Sequence, residues 1–373
     1  GGAVIIFLGF RFGLIWAGVA AAVLIALSQA FAWAMFANSR LLVDALGPSL
    51  TFSAVFATAL AASAHEVTQV RSRLRHAFAE ALPPSVLERI ARKPALLNLD
   101  GETRTVTYLA CSVRDFAKLA SSFLDDPHGF TKLMRRVTGP LLDQVTKHGG
   151  TIDRVTSDGF TAFWNAPLDD SEHAIHACEA AHAMAETLAR ANEEIARERR
   201  IDGTAIDPIE IGIGISTGQA VAGGFGARET AAYSVTGDPV VTAEKIRALS
   251  QQYGPAVILS EETRKEAARG YAFLEVDFIA AGAHDEPVKL FALLGSPVVR
   301  ASPKFRAVTT FHDHIFASIR SQQWEKARAL IEQCRKLSGA SQKLYDLHLN
   351  RITYFEDNPP GTDWDGAFRT VVK

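Results

Sequence analysis

The first 65 residues carry almost no polar punctuation. Phe12–Ala37 is a long apolar run without a charge, longer than the roughly 20 residues that cross a hydrocarbon core. Ala45–Ala64 is a second uncharged run, and Asn38–Asp44 is a short, more polar connection. Gly1–Phe10 is apolar and too short to span; it reads as the inner end of a cut-off helix in a chain that starts with Gly, not Met. The pattern predicts a transmembrane region over residues 1–65. Arg71, Arg73 and Arg75 follow the second run, while Arg40 alone lies in the connection. The positive-inside rule then places the rest of the chain in the cytoplasm.

The period changes after residue 65. Val67, Val70, Leu74, Ala77 and Ala81 recur at alternating steps of three and four, the seam of a parallel helix pair. Pro83-Pro84 ends it, and Val86–Arg92 forms a short second helix. Residues 66–102 therefore read as a signalling helix and connector.

Residues 103–296 mix the two periods of an α+β domain. Arg104–Cys111 alternates as a strand. Leu119, Phe123, Phe130, Leu133, Val137 and Leu141 give a helical run. Ile152 and Val155, then Phe160, Ala162 and Trp164, flank the turn Ser157-Asp158-Gly159 and predict a hairpin with one carboxylate at its tip. Ser171–Arg200 is helical, Ile209–Ser216 a strand, Val241–Leu249 a helix, Ala256–Leu259 a strand and Pro287–Leu294 the last strand. Strand, helix, two strands, helix, strand is the ferredoxin-like order. The tail, 297–373, predicts a helix pair, Phe311–Ser321 and Gln323–Leu337, and a third helix, Ser341–Phe355. It reads as a helical cap.

Composition narrows the partners. A net charge of −2 suggests no nucleic acid. Three distant cysteines suggest no disulfide framework. His173, His176 and Cys178 have zinc-ligand chemistry but no second ligand group, so packing roles fit them better. Gly212, Gly214, Gly218, Gly223, Gly224 and Gly226 lack the context of a dinucleotide loop and read as a hairpin with close backbone approach.

The stretch GGTIDRVTSDGFTAFWNAP, Gly149–Pro167, resembles the central hairpin of the class III adenylyl/guanylyl cyclases, typically GGTIDKFIGDAVMAFWNAP. The runs LLVDALGPSL and RSRLRHAFAEALPPSVLERI are similar to a membrane-bound bacterial subgroup with a CHASE-type sensor, which would lie in a missing N-terminal part. The resemblance implies an inner-membrane, multi-pass protein with a cytoplasmic domain that pairs head to tail, as a homodimer or with a related cyclase chain. It implies the reaction of ATP to cyclic AMP and pyrophosphate, with Mg2+ or Mn2+. On it, Asp158 falls on a metal-binding Asp, Arg154 on the adenine-reading Lys and Ser234 on the Thr that accepts the adenine amino group.

The same resemblance exposes departures. Family members read VTVLFADIRGFT where this chain reads VTYLACSVRDFA, so the other metal Asp becomes Ser112 and a phosphate-turn Gly becomes Asp115. YTVIGDAVNLAARLE corresponds to YSVTGDPVVTAEKI, Tyr233–Ile246: the ribose-orienting Asn becomes Val241 and the transition-state Arg becomes Lys245. The VKGK segment reads Ala281-Gly282-Ala283-His284. A neutral hydroxyl is a poor magnesium ligand without carboxylate help, and Lys lacks the guanidinium fork. The expectation is a catalytically impaired cyclase homologue, or pseudo-cyclase, with weak adenine-nucleotide binding and weak or absent metal. The alternatives are an active adenylyl cyclase with a rearranged metal site and a non-catalytic partner-binding module.

Overall fold

The computed structural model describes residues 14–44, 46–77, 99–202, 206–226, 232–268, 270–280, 286–338 and 342–369. The chain divides into two compact units, Gly1–His76 and Ala77–Lys373.

Among its described residues the first unit holds two helices, α1 (Leu14–Ser39) and α2 (Leu46–Ala77). Ala17 and Ala21 let them pack closely against Phe52, Val55 and Phe56. The larger apolar side chains of α1 face outward, with Trp33 73% exposed. Within α1, Ala17–Ser39 is long and apolar enough to cross a membrane; in α2 the apolar stretch, Leu46–Ala62, is shorter. Asp44 accepts from the amides of Leu46 and Gly47 and so caps the start of α2. No break occurs at residue 65: α2 runs on to Ala77. The side chains of the predicted seam, and Ala81, Pro83-Pro84 and Val86–Arg92, lie outside the described residues.

The second unit is built on eight strands: β1 (Glu102–Val113), β2 (Thr151–Val155), β3 (Gly159–Trp164), β4 (Ile211–Phe225), β5 (Ala232–Thr236), β6 (Val257–Ser260), β7 (Ala272–Ala280) and β8 (Pro287–Gly295). Their order is β2-β3-β1-β4-β6-β8-β7, with β5 on β4. Among the described strand pairs only β4–β6 is parallel. The helices are α3 (Phe116–Ser121), α4 (Pro127–Lys147), α5 (His173–Asp202), α6 (Asp238–Tyr253) and α7 (Glu261–Glu266), followed by the tail helices α8 (Pro297–Ala301), α9 (Pro303–Arg320), α10 (Trp324–Ser338) and α11 (Gln342–Asp357). The first four strands with α4 and α5 follow the expected strand–helix–strand–strand–helix–strand order.

The central strands are covered on both faces, so the middle of β1 and all of β3 are buried. On one face α4 presents Leu133, Met134, Val137, Leu141 and Val145 at helical spacing, and α5 adds its alanines and Met184. The other core cluster joins Ile246 and Tyr253 of α6 to Ile258, Leu290 and Ala292.

The predicted run through Leu119–Leu141 is two helices. Asp126 caps α4 by accepting from the Gly129 amide at 2.8 Å, and Pro127 opens it, which fixes a new start there. Gly212, Gly214 and Gly218 lie inside the long strand β4 rather than at a turn, while Gly223 and Gly224 near its end pair antiparallel with Ser234 and Tyr233 of β5. Strands β5 and β7 went unforeseen. β7 carries Glu275 and Asp277 within an apolar run, and both carboxylates are met by arginines of the tail, Arg320 and Arg351. The tail caps the sheet at β7: Val308, Ile315, Ala327, Ile331 and Tyr345 form one apolar cluster with Leu274.

Candidate functional site

Ser112 stands near the end of β1, opposite Gly159 of β3 on one side and Gly212 of β4 on the other. The hairpin tip is pressed against this point. Asp158 accepts from the Val113 amide through its carbonyl at 2.8 Å. A Cβ on Gly159 would fall 2.0 Å from the Cys111 carbonyl oxygen, so only glycine fits. The backbones of Ser112 and Asp158 are thereby brought together. The Asp158 carboxylate accepts from the Thr156 hydroxyl at 2.7 Å.

A third residue enters this corner. Gly214 lies under α6, where a Cβ would sit 2.2 Å from the Ala243 carbonyl oxygen and 2.5 Å from the Arg247 nitrogen. That close approach sets Arg247 over the strand ends. Its Nη1 donates to Ser112 Oγ at 2.7 Å, and its Nη2 reaches Glu244 Oε2 at 3.5 Å. The Cys111 thiol is pushed up to about 12 by burial, with Arg247 pulling it down and Asp158 pushing it up. Both charges therefore act on the same thiol. Sequence reasoning missed Arg247 because the compared stretch stopped at Ile246. The signal was one residue on: the family pattern continues with Glu, and this chain has Arg.

Arg154 and Ser234 also come together. Ser234 donates to Asp153, whose side chain is 3% exposed and also accepts from Tyr108 at 2.7 Å and Thr161 at 3.2 Å. Burial and the neighbouring Asp153 raise the Tyr108 hydroxyl, so it stays a donor. Arg154, 63% exposed, donates to Glu244 Oε1 at 3.2 Å. Glu244 thus bridges Arg154 to Arg247. A continuous polar chain runs Ser234–Asp153–Arg154–Glu244–Arg247–Ser112. Asp153 and Tyr108 were not foreseen; a charged residue inside a strand next to Arg154 was the available hint.

Val241 and Lys245 lie one helical turn apart on α6, Val241 exposed and Lys245 half-buried. Asp115 has a left-handed backbone, φ 49°, which suits a position where the family pattern has glycine. Its exposed carboxylate accepts from Gln251 Nε2 at 2.8 Å, so it is tied to α6. Ala281–His284 lie outside the described residues. His173 bonds Thr107, His176 bonds Asp170 and Cys178 is fully buried, which makes the three a packing feature.

Among the described residues no group of three or more His, Cys, Asp or Glu is arranged to hold a metal ion. The donor set at β1 and the hairpin tip is one carboxylate and one hydroxyl, with a guanidinium on that hydroxyl. It does not fit a pair of divalent cations.

Residues 100–290 match the model of the adenylate and guanylate cyclase catalytic domain. The chain belongs to that family. Cyclase domains of this family bind nucleotide, dimerise and use divalent metals. The cyclase chain is 28% identical over 196 residues to adenylate cyclase 1 of Rhizobium meliloti (strain 1021), covering 52% of this chain and 28% of that protein. It is 26% identical over 222 residues to an uncharacterized protein of Mycobacterium tuberculosis (strain ATCC 25618 / H37Rv), covering 59% of this chain and 36% of the other. It therefore spans about a third of the length of these curated relatives. Solved structures similar to it include the guanylyl cyclase Cya2, at 25% identity, 52% of this chain, 94% of that chain and a TM-score of 0.46. Another is the adenylyl cyclase CyaB from P. aeruginosa, at 21% identity, 52% and 96% coverage and a TM-score of 0.44.

Proposed function

We propose that this chain is a membrane-anchored member of the class III cyclases, serving signal transduction as a paired, adenine-nucleotide-binding module with little or no cyclic AMP synthesis. The observation that carries the reading is the Ser112–Asp158 pair. Ser112 pairs with Gly159, next to Asp158; on this reading the chain offers one hydroxyl and one carboxylate for a reaction that uses two carboxylates in the family. Two metals would serve that reaction by lowering the pKa of the attacking hydroxyl and offsetting charge on the entering and leaving oxygens. Losing one preorganised electrostatic group costs on the order of 10²–10³ in rate. By the resemblance, the apolar, exposed Val241 and the substituted Lys245 fall in the half-site that a paired chain would complete, so both half-sites are weakened. The roles given to Arg154, Ser234, Val241, Lys245, Asp158 and Ser112 belong to this proposal. So do the division at residues 65, 102 and 296, the multi-pass anchor with a cytoplasmic cyclase domain, and the sensor-bearing subgroup.

The anchor reading is supported by α1, whose outward face carries Leu27, Phe31 and Trp33 at 60%, 59% and 73% exposure, a surface suited to lipid. The test is a cyclic AMP assay on the detergent-solubilised chain with ATP and Mn2+, beside Ser112→Asp. The expected native turnover is far below the roughly 1 per second of an ordinary enzyme. Turnover at or above that value overturns the proposal. A monomer in sedimentation at micromolar concentration would remove the pairing from it.

A further inference from the structure

Ser112, beside the hairpin tip that carries Asp158, already has a cation on its hydroxyl. Arg247 places its guanidinium on the Ser112 hydroxyl at 2.7 Å, and a second nitrogen of the same group faces Glu244. Its side chain is 26% exposed, so solvent screens it only in part. The position is not an accident of a flexible arm. Gly214 lets the backbone of Arg247 itself approach β4, and Gly159 presses the hairpin tip onto β1. Both sides of the corner are fixed by close backbone contact.

We propose that Arg247 is the resident cation of this half-site, standing where a divalent metal would bind, so that the chain takes no Mg2+ or Mn2+ between Ser112 and Asp158. Three features agree. Ser112 supplies a neutral oxygen that a guanidinium N–H can use and a hard divalent cation takes poorly. A guanidinium is cationic and repels an incoming cation. The carboxylate that remains, Asp158, is a single ligand, and Glu244 is held between Arg154 and Arg247. A phosphate ester entering this corner would meet a planar donor group in place of a metal, and its binding would not depend on divalent cations.

The inference rests on reading Ser112 as the lost metal position. It is tested with Mn2+ alone as the probe, titrated into the full 373-residue chain in detergent, with free Mn2+ followed by electron paramagnetic resonance. The native chain is expected to show no saturable site below about 1 mM that disappears in Asp158→Asn. Restoring two carboxylates and removing the guanidinium, in Ser112→Asp with Arg247→Glu, is expected to create one site at least about 30-fold tighter. If that double variant does not fold, Arg247→Gln is titrated instead, and a gain in Asp158-dependent Mn2+ affinity is expected. A native site tighter than about 0.1 mM that is abolished by Asp158→Asn overturns the inference. So does a variant that folds without gaining Mn2+. The outcomes separate the two readings. Native Mn2+ binding without cyclic AMP synthesis defeats this inference and leaves the proposed function. Cyclic AMP synthesis in EDTA does the reverse.

Discussion

Arg351 of α11 donates to Asp277 of β7 at 2.6 Å, and the two side chains are only 12% and 4% exposed. The Tyr253 hydroxyl donates to the same carboxylate oxygen at 2.6 Å, and the Arg351 guanidinium lies 4.0 Å from the centre of the Phe368 ring. This buried carboxylate locks the tail to the cyclase sheet, beside the Arg320–Glu275 pair and the apolar cluster on Leu274. Removing one partner of a buried pair strands the other. Arg351→Met is predicted to cost about 3 kcal/mol in urea unfolding, and adding Asp277→Asn should recover a good part of it. An Arg351→Met form as stable as the native chain would show that the pair does not hold the tail.

Acid should loosen the same interface. His312 of α9 faces β7 and α11. Its Nδ1 donates to the Glu275 carbonyl at 2.9 Å, and its Nε2 accepts from Tyr345, whose hydroxyl also touches Cys334. Burial pulls the His312 pKa from 6.5 down to about 4, with His348 pushing it further the same way. The unfolded state therefore binds more protons between those values. The contribution is fully present above about pH 6.5 and is lost as the pH falls toward 4, at up to about 1.4 kcal/mol per unit. Urea midpoints at pH 7.5 and pH 5 should differ in that direction, and His312→Gln should flatten the difference. A pH-independent midpoint in the native chain contradicts this.

Gly214 sets the seat of α6. An added methyl group would meet the Ala243 carbonyl and the Arg247 backbone, neither of which is a flexible side-chain end. Gly214→Ala is predicted to lose about 1–3 kcal/mol of stability as α6 is pushed off β4. Thermal unfolding checks it, and an unchanged midpoint would mean that α6 can shift freely.

Asp115 combines a left-handed backbone with an exposed carboxylate. Asp115→Gly relieves the left-handed φ of 49° and should stabilise the chain by about 0.5–1 kcal/mol, less whatever the Gln251 bond supplied. If the phosphate turn lies here, the same change should strengthen ATP binding more than adenosine binding. Calorimetry of both ligands on both proteins decides it: equal gains, or none, would place the phosphates elsewhere.

The sequence by itself determined the local elements. Apolar runs gave α1 and the start of α2, and alternation around Ser157-Asp158-Gly159 gave the β2–β3 hairpin within a residue or two. Helical spacing gave α5 and the tail pair. The hairpin stretch also carried the family, because its residues are adjacent in the chain. Ser112 and Asp158 could be named as partners only through that resemblance.

What the tertiary structure decided is of another kind. Glu275 and Asp277 make β7 a poor strand locally, and only Arg320 and Arg351, 45 and 74 residues away, let it be one. The break between α3 and α4 depended on Asp126 finding the Gly129 amide, a choice that competed with a continuous apolar stripe. Arg247 looks in sequence like one more charge on an amphipathic helix, between Ile246 and Ala248. Its meeting with Ser112 spans 135 residues and needs two glycines on different strands to bring backbone against backbone. Periodicity reports which face of an element is apolar. Which charge stands at which strand end depends on how closely separate elements approach, and that is set only when the whole sheet closes.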